Sequence, residues 1–134
     1  MSDWNPADYA RFSALRLRPA IDLLRKVPAL PGDRSIDLGC GNGPVGPVLR
    51  ARFPDADLTG FDASPAMLDE AAKTAVYDHL RQGDIGTWKP EMPPHLIFSN
   101  AALHWLPDHE TLLPTLVGNL SAKGTLAVQV PHQN

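Results

Sequence analysis

The feature that most constrains the fold is a short apolar run followed at once by closely spaced glycines. Residues 34–38 read RSIDL, and Gly39, Gly41 and Gly43 come directly after them. Glycine adopts positive φ angles and lets a backbone approach a ligand closely, which is typical of a binding loop at a strand end. Apolar residues at helical spacing begin at Val45. We therefore predict a strand, a ligand-binding loop and a helix in that order.

Strands and helices alternate along the rest of the chain. Further apolar runs predict strands at ADLTGFD, PHLIFSN and TLAVQV, and a short strand is also predicted around DHLRQGD, with helical patterns between the strands. Near-continuous apolar strands that alternate with helices are typical of a parallel sheet covered on both faces. The predicted fold class is therefore α/β, a doubly wound, Rossmann-like parallel sheet. We expect a single domain over residues 1–134, with a helical cap over 1–33 and a Rossmann-like core over 34–130.

Charge and composition exclude several classes of partner. A net charge of −3 disfavours nucleic acid or an anionic membrane as the main partner, although residues 11–26 are locally basic. The amino terminus lacks a signal-peptide pattern, and no apolar stretch approaches the ~20 residues that cross a bilayer. A lone cysteine, Cys40, excludes an internal disulfide. We therefore expect a cytoplasmic protein, and the histidine spacing predicts no metal site.

The glycine loop contains two overlapping patterns that imply different cofactors. Asp37-x-Gly39-x-Gly41-x-Gly43 is typical of S-adenosylmethionine sites, whereas Gly41-x-Gly43-x-x-Gly46 matches the dinucleotide fingerprint. A carboxylate at Asp37 suits the amino group of a methionine moiety and brings no benefit to an anionic pyrophosphate. Helical sequence also precedes the first strand, which is unusual for a dinucleotide domain. These features favour S-adenosylmethionine, and the second pattern alone supports a nicotinamide cofactor.

Polar residues after the later strands complete the predicted cofactor site. Asp62 ends the second strand, where a carboxylate accepts bonds from ribose hydroxyls of either cofactor. Asp84 follows the third strand and suits an adenine amino group, although a lone loop aspartate is more often a cap. Asn100 ends the fourth strand, near where the reacting methyl group is expected. The predicted cofactor contacts are Asp37, Gly39, Gly41, Gly43, Asp62, Asp84 and Asn100.

Several segments along the chain, including the loop, resemble the trans-aconitate 2-methyltransferase family of class I S-adenosylmethionine-dependent methyltransferases. They are WNPADYARFSALRLRPAIDLL, DLGCGNG, LTGFDASPAMLDEA, GDIGTW, LIFSNAALHWLPDHETLLPTL and GTLAVQVP. The resemblance covers nearly the whole chain and implies a sheet of the class I methyltransferase type. Because family members continue for roughly as long again, it also implies that the last two strands are lacking. The chain resembles the amino-terminal half of such an enzyme.

The resemblance implies methyl transfer from S-adenosylmethionine to a carboxylate of a small polycarboxylic acid. A carboxylate with a pKa near ~4 is already ionised, so we expect no general base, and Asn100 acts by positioning. Guanidinium groups are expected to hold the carboxylates that do not react. Arg16 and Arg18 are the first candidates for this role, and Arg11 is a further candidate. The substrate-binding residues expected on this basis are Trp4, Arg16, Arg18, His104 and Trp105.

Two departures from the family leave alternatives open. Pro44 and Pro47 stand where the family tends to carry a polar Gly-Asn-Ser-Thr run. Pro44 suits the first turn of the following helix, whereas Pro47 would remove one of its first hydrogen bonds. A shortened chain would expose the edge of the fifth strand, where a partner segment could pair. The alternatives are thus a truncated cofactor-binding fragment with little turnover and, more remotely, an NAD(P)-dependent reductase.

Overall fold

The computed structural model describes residues 17–28, 34–100, 103, 106 and 109–129. Within this part of the chain, five strands alternate with helices, as the sequence predicts. Residues 17–25 are helical and form α1. The remaining elements are β1 (Arg34–Leu38), α2 (Gly46–Arg52), β2 (Asp57–Asp62), α3 (Pro65–Ala72), β3 (His79–Gln82), a 3-10 turn (Ile85–Thr87), β4 (Leu96–Asn100), α4 (His109–Gly118) and β5 (Thr125–Gln129).

The strands form one parallel sheet in the order β3-β2-β1-β4-β5. This order confirms the predicted doubly wound α/β fold. The chain moves outward from β1 to β3 in one direction, then returns to β4 and β5 on the other side of β1. The order therefore reverses between β1 and β4, and open α/β sheets bind ligands at such a switch point.

Each face of the sheet carries its own apolar cluster, which explains the near-continuous apolar character of the strands. The helices α1 and α2 pack on one face, and α4 packs on the other. The first cluster contains Ala20, Leu24, Val27, Val45, Leu49, Leu58, Leu96, Phe98 and Ala127. The second contains Ile36, Leu38, Phe61, Ile97, Leu103, Leu112 and Leu116.

The helix that follows the glycine loop begins later than the sequence suggests. It starts at Gly46, with Val45 at the N-cap and Pro47 in the first turn. The expectation that Pro47 would disturb the helix is wrong, because the first amide groups of a helix have no intrahelical partner. Pro44 lies before the helix and helps to end the loop.

A single arginine ties together three segments beside the loop. Arg50 on α2 donates to the carbonyl oxygens of Val76 and Ala56, the latter at 2.7 Å. It also pairs with Asp78, whose Oδ2 lies 2.6 Å from Nη2. The amide of Leu58 donates to the same Asp78 oxygen at 2.8 Å. The contacts of Arg50 therefore join the end of α2, the start of β2 and the α3–β3 connection.

Candidate functional site

The parallel sheet brings the predicted cofactor residues to one edge. The glycine loop follows β1, Asp62 ends β2, Asp84 follows β3 and Asn100 ends β4. Because these strands are parallel, their carboxyl ends lie along the same edge of the sheet. The loop and Asn100 lie on the two sides of the switch point between β1 and β4. This edge is the candidate functional site.

The backbone of the loop takes a conformation that strongly favours glycine. The φ angles are 76° at Gly39, 57° at Gly41 and 87° at Gly43. The amides of Gly39 and Cys40 donate to the carbonyl oxygen of Phe61 at 2.7 and 3.0 Å. The loop is thereby held against the end of β2. The alternating glycines are a requirement of this geometry, since other residues rarely adopt these angles.

The side chain of Asp62 fixes the loop further. Its Oδ1 accepts from the amide of Gly41 at 3.1 Å, and its Oδ2 accepts from the amide of Ser64 at 3.0 Å. Ser64 in turn caps α3, because its hydroxyl accepts from the amide of Met67. Each carboxylate oxygen retains further acceptor capacity for a ligand hydroxyl. Asp62 is thus both a loop clamp and an acceptor at the site.

The space around Gly41 shows how a cofactor would fit this loop. No atom lies within 4 Å of a Cβ built at Gly41, so its backbone faces open space. A Cβ built at Gly43, by contrast, would contact Ala71 and Tyr77 at 3.2 Å. The loop therefore presents bare backbone on its outer side and packs tightly on its inner side. Positive φ, open space and an adjacent carboxylate fit the group that the sequence implies.

The predicted contact Asp37 is buried beneath the loop. Asp37 is 1% exposed, and its Oδ2 accepts a hydrogen bond from the Tyr77 hydroxyl at 2.6 Å. Burial raises the pKa of Asp37 to about 7, while the Tyr77 hydrogen bond lowers it and the charge of Asp62 raises it. The carboxyl group therefore changes charge near neutral pH. A direct bond from Asp37 to the cofactor amino group stays a prediction.

Tyr77 is the residue of this site that sequence reasoning missed. Its ring lies where three glycines leave room, and a Cβ at Gly46 would come within 2.7 Å of it. A Cβ at Gly60 would lie 2.9 Å from the same ring. Gly46, the third glycine of the dinucleotide-like pattern, thus makes room for Tyr77. Only the fold brings Tyr77 to Asp37, since nothing in the short TAVYD segment marks it.

The remaining predicted residues differ in what the structure shows of them. Asp84 caps the 3-10 turn, since its Oδ1 accepts from the amide of Gly86 at 2.8 Å. Asn100 is half-buried at the end of β4, opposite Gln129. Arg18 is exposed on α1. The other substrate-binding candidates, Trp4, Arg16, His104 and Trp105, and also Arg11, lie outside the described residues.

A separate groove lies on the α4 face of the sheet. Its volume is about 470 Å³, and its lining includes Arg34, Asp57 and His79, the first residues of three strands. Phe61 and Trp88 also line it, with ring centroids 6.1 Å apart. Because the groove reaches the amino ends of the strands, it does not coincide with the glycine loop. Sequence reasoning gave no signal for it.

Comparisons with known proteins identify the family. Residues 36–124, from within β1 to the residue before β5, match the family model described as a methyltransferase domain. The chain belongs to this methyltransferase domain family. It is 51% identical over 131 residues to the trans-aconitate 2-methyltransferase of Methylobacterium radiotolerans, covering 98% of the chain and 50% of that relative. The corresponding protein of Klebsiella pneumoniae is 49% identical, and 52% of it is covered.

Solved structures of methyltransferases share the fold. The plantazolicin methyltransferase BpumL in complex with SAH has a TM-score of 0.71 and 20% identity, covering 95% of this chain and 53% of that protein. Streptomyces venezuelae DesVI has a TM-score of 0.71 and 21% identity, covering 96% and 58%. The chain spans about half the length of the curated relatives that it matches. The family model and these structures together show that the chain has a methyltransferase domain fold.

Three further observations concern metal binding, membrane crossing and the cysteine of the loop. Among the described residues, no group of three or more His, Cys, Asp or Glu side chains is arranged to hold a metal ion. None of the described helices is long and apolar enough to cross a membrane. Burial and the charges of Asp37 and Asp62 raise the pKa of the Cys40 thiol to about 12. Cys40 is thus a protonated packing residue at neutral pH and a poor nucleophile.

Proposed function

We propose that this chain carries the cofactor site of an S-adenosylmethionine-dependent O-methyltransferase that esterifies a carboxylate of a small polycarboxylic acid. The observation that carries the proposal is the glycine loop clamped by Asp62 at the switch point of the sheet. The names of the relatives point to trans-aconitate or a close analogue as the acid. Family membership favours this cofactor over a nicotinamide, whose support is the GxGxxG spacing alone.

Each polar group at the sheet edge has a role in this proposal. The bare backbone at Gly41 lets the cofactor approach the loop. The remaining lone pairs of Asp62 accept hydrogen bonds from the ribose hydroxyls of the cofactor. Asp84 accepts a hydrogen bond from the adenine amino group, and Asn100 positions the substrate beside the methyl group. Gly39 and Gly43 maintain the loop conformation, and Asp37 meets the cofactor amino group. Trp4, Arg16, Arg18, His104 and Trp105 are the candidates for holding the acid.

The chemistry asks little of the protein beyond binding and alignment. When bound, S-adenosylmethionine would supply an electrophilic methyl group to a carboxylate oxygen of the acid, giving a methyl ester, with S-adenosylhomocysteine as the leaving group after the S–CH3 bond breaks. Substrate carboxyls with a pKa near ~4 are ionised at neutral pH, so the chain needs no general base. The protein instead holds the carboxylate in line and excludes water. Because Cys40 is protonated, it is a poor acceptor for the methyl group, which supports direct transfer to the substrate carboxylate.

A labelled-methyl assay tests the proposed reaction. The 134-residue chain is incubated with S-adenosylmethionine labelled at the methyl group and with trans-aconitate, and ester formation is measured. Tricarballylate, the saturated analogue, serves as the comparison substrate. We expect labelled monomethyl ester from trans-aconitate. Cofactor binding without ester from either acid would contradict the catalytic part of the proposal.

The length of the chain supports a second candidate function. Because it spans about half of its curated relatives, residues that complete the acid-binding site can lie outside it. In that case the chain binds the cofactor and turns over slowly or not at all. The two candidates make the same prediction for cofactor affinity and different predictions for ester formation. The assay above, together with a binding measurement, separates them.

A further inference from the structure

The packing around Tyr77 joins the inner side of the glycine loop to a buried acid. The Tyr77 ring occupies the space left by Gly43, Gly46 and Gly60, each of which would place a Cβ within about 3.2 Å of it. These glycines belong to the loop, to the first turn of α2 and to β2. The ring therefore lies where three parts of the site meet. At this point a larger residue at any of the three glycines would displace it.

The hydroxyl of Tyr77 ends at the carboxyl group of Asp37. The oxygen-to-oxygen distance is 2.6 Å, and Asp37 itself is 1% exposed. Burial and the neighbouring carboxylate raise the pKa of Tyr77 far above its ordinary value, so the hydroxyl stays protonated and donates. A donor to a buried carboxylate stabilises its charged form. Tyr77 therefore helps to keep Asp37 ionised directly beneath the loop.

We propose that Tyr77 is a positioning residue of the cofactor site, which favours the ionised form of Asp37 and orients its carboxylate toward the cofactor amino group. This inference rests on the proposed function, because Asp37 meets that amino group only if the loop binds S-adenosylmethionine. The titratable groups that act on the pKa of Asp37 are Tyr77 from the α3–β3 segment and Asp62 from β2. The Cys40 thiol in the loop is in turn affected by Asp37, whose charge raises the pKa of Cys40. Of these groups, Tyr77 donates a hydrogen bond to the carboxylate.

The first test measures the titration of Asp37 in the ligand-free chain by carboxyl-carbon NMR. Wild type, Tyr77→Phe and Thr115→Val are compared. Tyr77→Phe keeps the ring that the three glycines accommodate and removes only the hydroxyl. Thr115→Val removes a hydroxyl from an exposed intrahelical bond on α4, which packs on the opposite face of the sheet. Both variants should keep the far-ultraviolet circular dichroism of wild type.

The expected result is a change in one variant only. In wild type and in Thr115→Val, the titration midpoint of Asp37 should lie at a pH of about 7. In Tyr77→Phe the midpoint should rise by about one pH unit or more, which is the size expected for a lost hydrogen bond to a charged group. An equal midpoint in wild type and Tyr77→Phe would overturn the inference.

The second test measures the affinity for S-adenosylhomocysteine between pH 6 and 8.5. Affinity in wild type should fall as the pH drops through the pKa of Asp37, because the cofactor ammonium prefers the ionised carboxylate. The Tyr77→Phe curve should be displaced to higher pH by the same amount as the Asp37 midpoint. Asp37→Asn should bind weakly, without this pH dependence. A purely structural role would weaken Tyr77→Phe equally at every pH, and that outcome would overturn the proposal.

The two tests distinguish this inference from the proposed function. One possible outcome is that wild type shows no saturable binding of S-adenosylhomocysteine, although the Asp37 midpoint differs between wild type and Tyr77→Phe. This outcome would contradict the proposed function. The same result would support the hydrogen-bond coupling of Tyr77 to Asp37. Saturable binding in wild type with no displacement in Tyr77→Phe would support the function and overturn the role of Tyr77.

Discussion

Replacing Gly41 distinguishes an effect on ligand binding by the loop from an effect on folding of the loop. Its φ is 57°, yet no atom lies within 4 Å of a Cβ built there. Gly41→Ala should therefore lose about 1 kcal/mol of unfolding free energy from backbone strain. The affinity for S-adenosylhomocysteine should fall by more than about tenfold, because the methyl group occupies the space of the ligand. Denaturant unfolding and calorimetric titration measure the two effects.

Gly118→Ala is the matched control for this prediction. A Cβ at Gly118 also meets no atom within 4 Å, but the residue ends α4, away from the loop. The replacement should leave affinity unchanged and raise stability by up to about 1 kcal/mol through helix propensity. Equal affinity in Gly41→Ala and wild type would show that no ligand approaches the loop at this position.

Asp37 should make the stability of the protein depend on pH in an unusual direction. Its pKa rises from 3.8 to about 7 on folding, so the folded state binds its proton more tightly than the unfolded state. The resulting contribution to stability is full below pH 3.8 and is lost as the pH rises to about 7. Its size is on the order of 4 kcal/mol. Asp37→Asn should flatten the unfolding profile across this range.

The measurement is chemical unfolding of wild type, Asp37→Asn and Asp55→Asn between pH 4.5 and 8. Asp55 is an exposed loop residue, so its variant should follow the wild-type profile. The lower limit avoids protonation of Asp78, whose pKa is lowered by the amide of Leu58 and by Arg50. Wild-type and Asp37→Asn profiles that run parallel would contradict the raised pKa.

The sequence predicts the residues of the loop better than their partners. The glycines, Asp37 and Asp62 follow from local spacing, since each stands at the end of an apolar strand. Tyr77 was not predictable, because its bond to Asp37 joins positions 40 residues apart. The second role of Asp62, as a clamp on the Gly41 amide, also depends on how β1 and β2 pair. Long-range contacts of this kind leave no periodic signal.

At the scale of elements, Arg50 should be the main link between α2 and the segment that carries Tyr77. Its planar group donates to several carbonyl oxygens and to Asp78. Arg50→Lys cannot reproduce this fork and should cost about 1–3 kcal/mol of unfolding free energy. Arg25→Lys is the control, because Arg25 is 78% exposed and lies 3.9 Å from Asp22.

Denaturant unfolding of both variants checks this prediction. The Arg25→Lys change should stay within about 0.5 kcal/mol of wild type, as surface substitutions usually do. Arg50→Lys should also weaken cofactor affinity slightly, since the Tyr77 segment is anchored through Val76. Equal stability of the two variants would show that the contacts of Arg50 are not needed to hold these elements together.

The elements themselves were largely predictable. All five predicted strands are present. Apolar residues mark the buried strands β1, β2 and β4, whereas β3 is mostly exposed and has Leu80 as its one apolar residue. The start of α2 was less predictable, since Pro44 and Pro47 are both compatible with a first turn. Gly46, where α2 begins, is packed closely against Tyr77. This is a tertiary contact, so the local sequence does not predict it.

At the scale of the whole molecule, the sheet order brings the candidate cofactor residues to one edge of the described sheet. The loop, Asp62, Asp84 and Asn100 all come from β1 to β4. In the described sheet β5 pairs with β4 and lies at one edge, beside the strands that carry the site. We therefore expect the cofactor affinity to depend on the first four strands.

Calorimetric titration with S-adenosylhomocysteine, with NAD as the control ligand, tests the central claim most directly. The account predicts saturable one-to-one binding of S-adenosylhomocysteine and no binding of NAD. Binding of NAD alone would assign the glycine loop to a dinucleotide. Binding of neither ligand to a chain that circular dichroism shows to be folded would contradict the claim that the loop and Asp62 form a cofactor site.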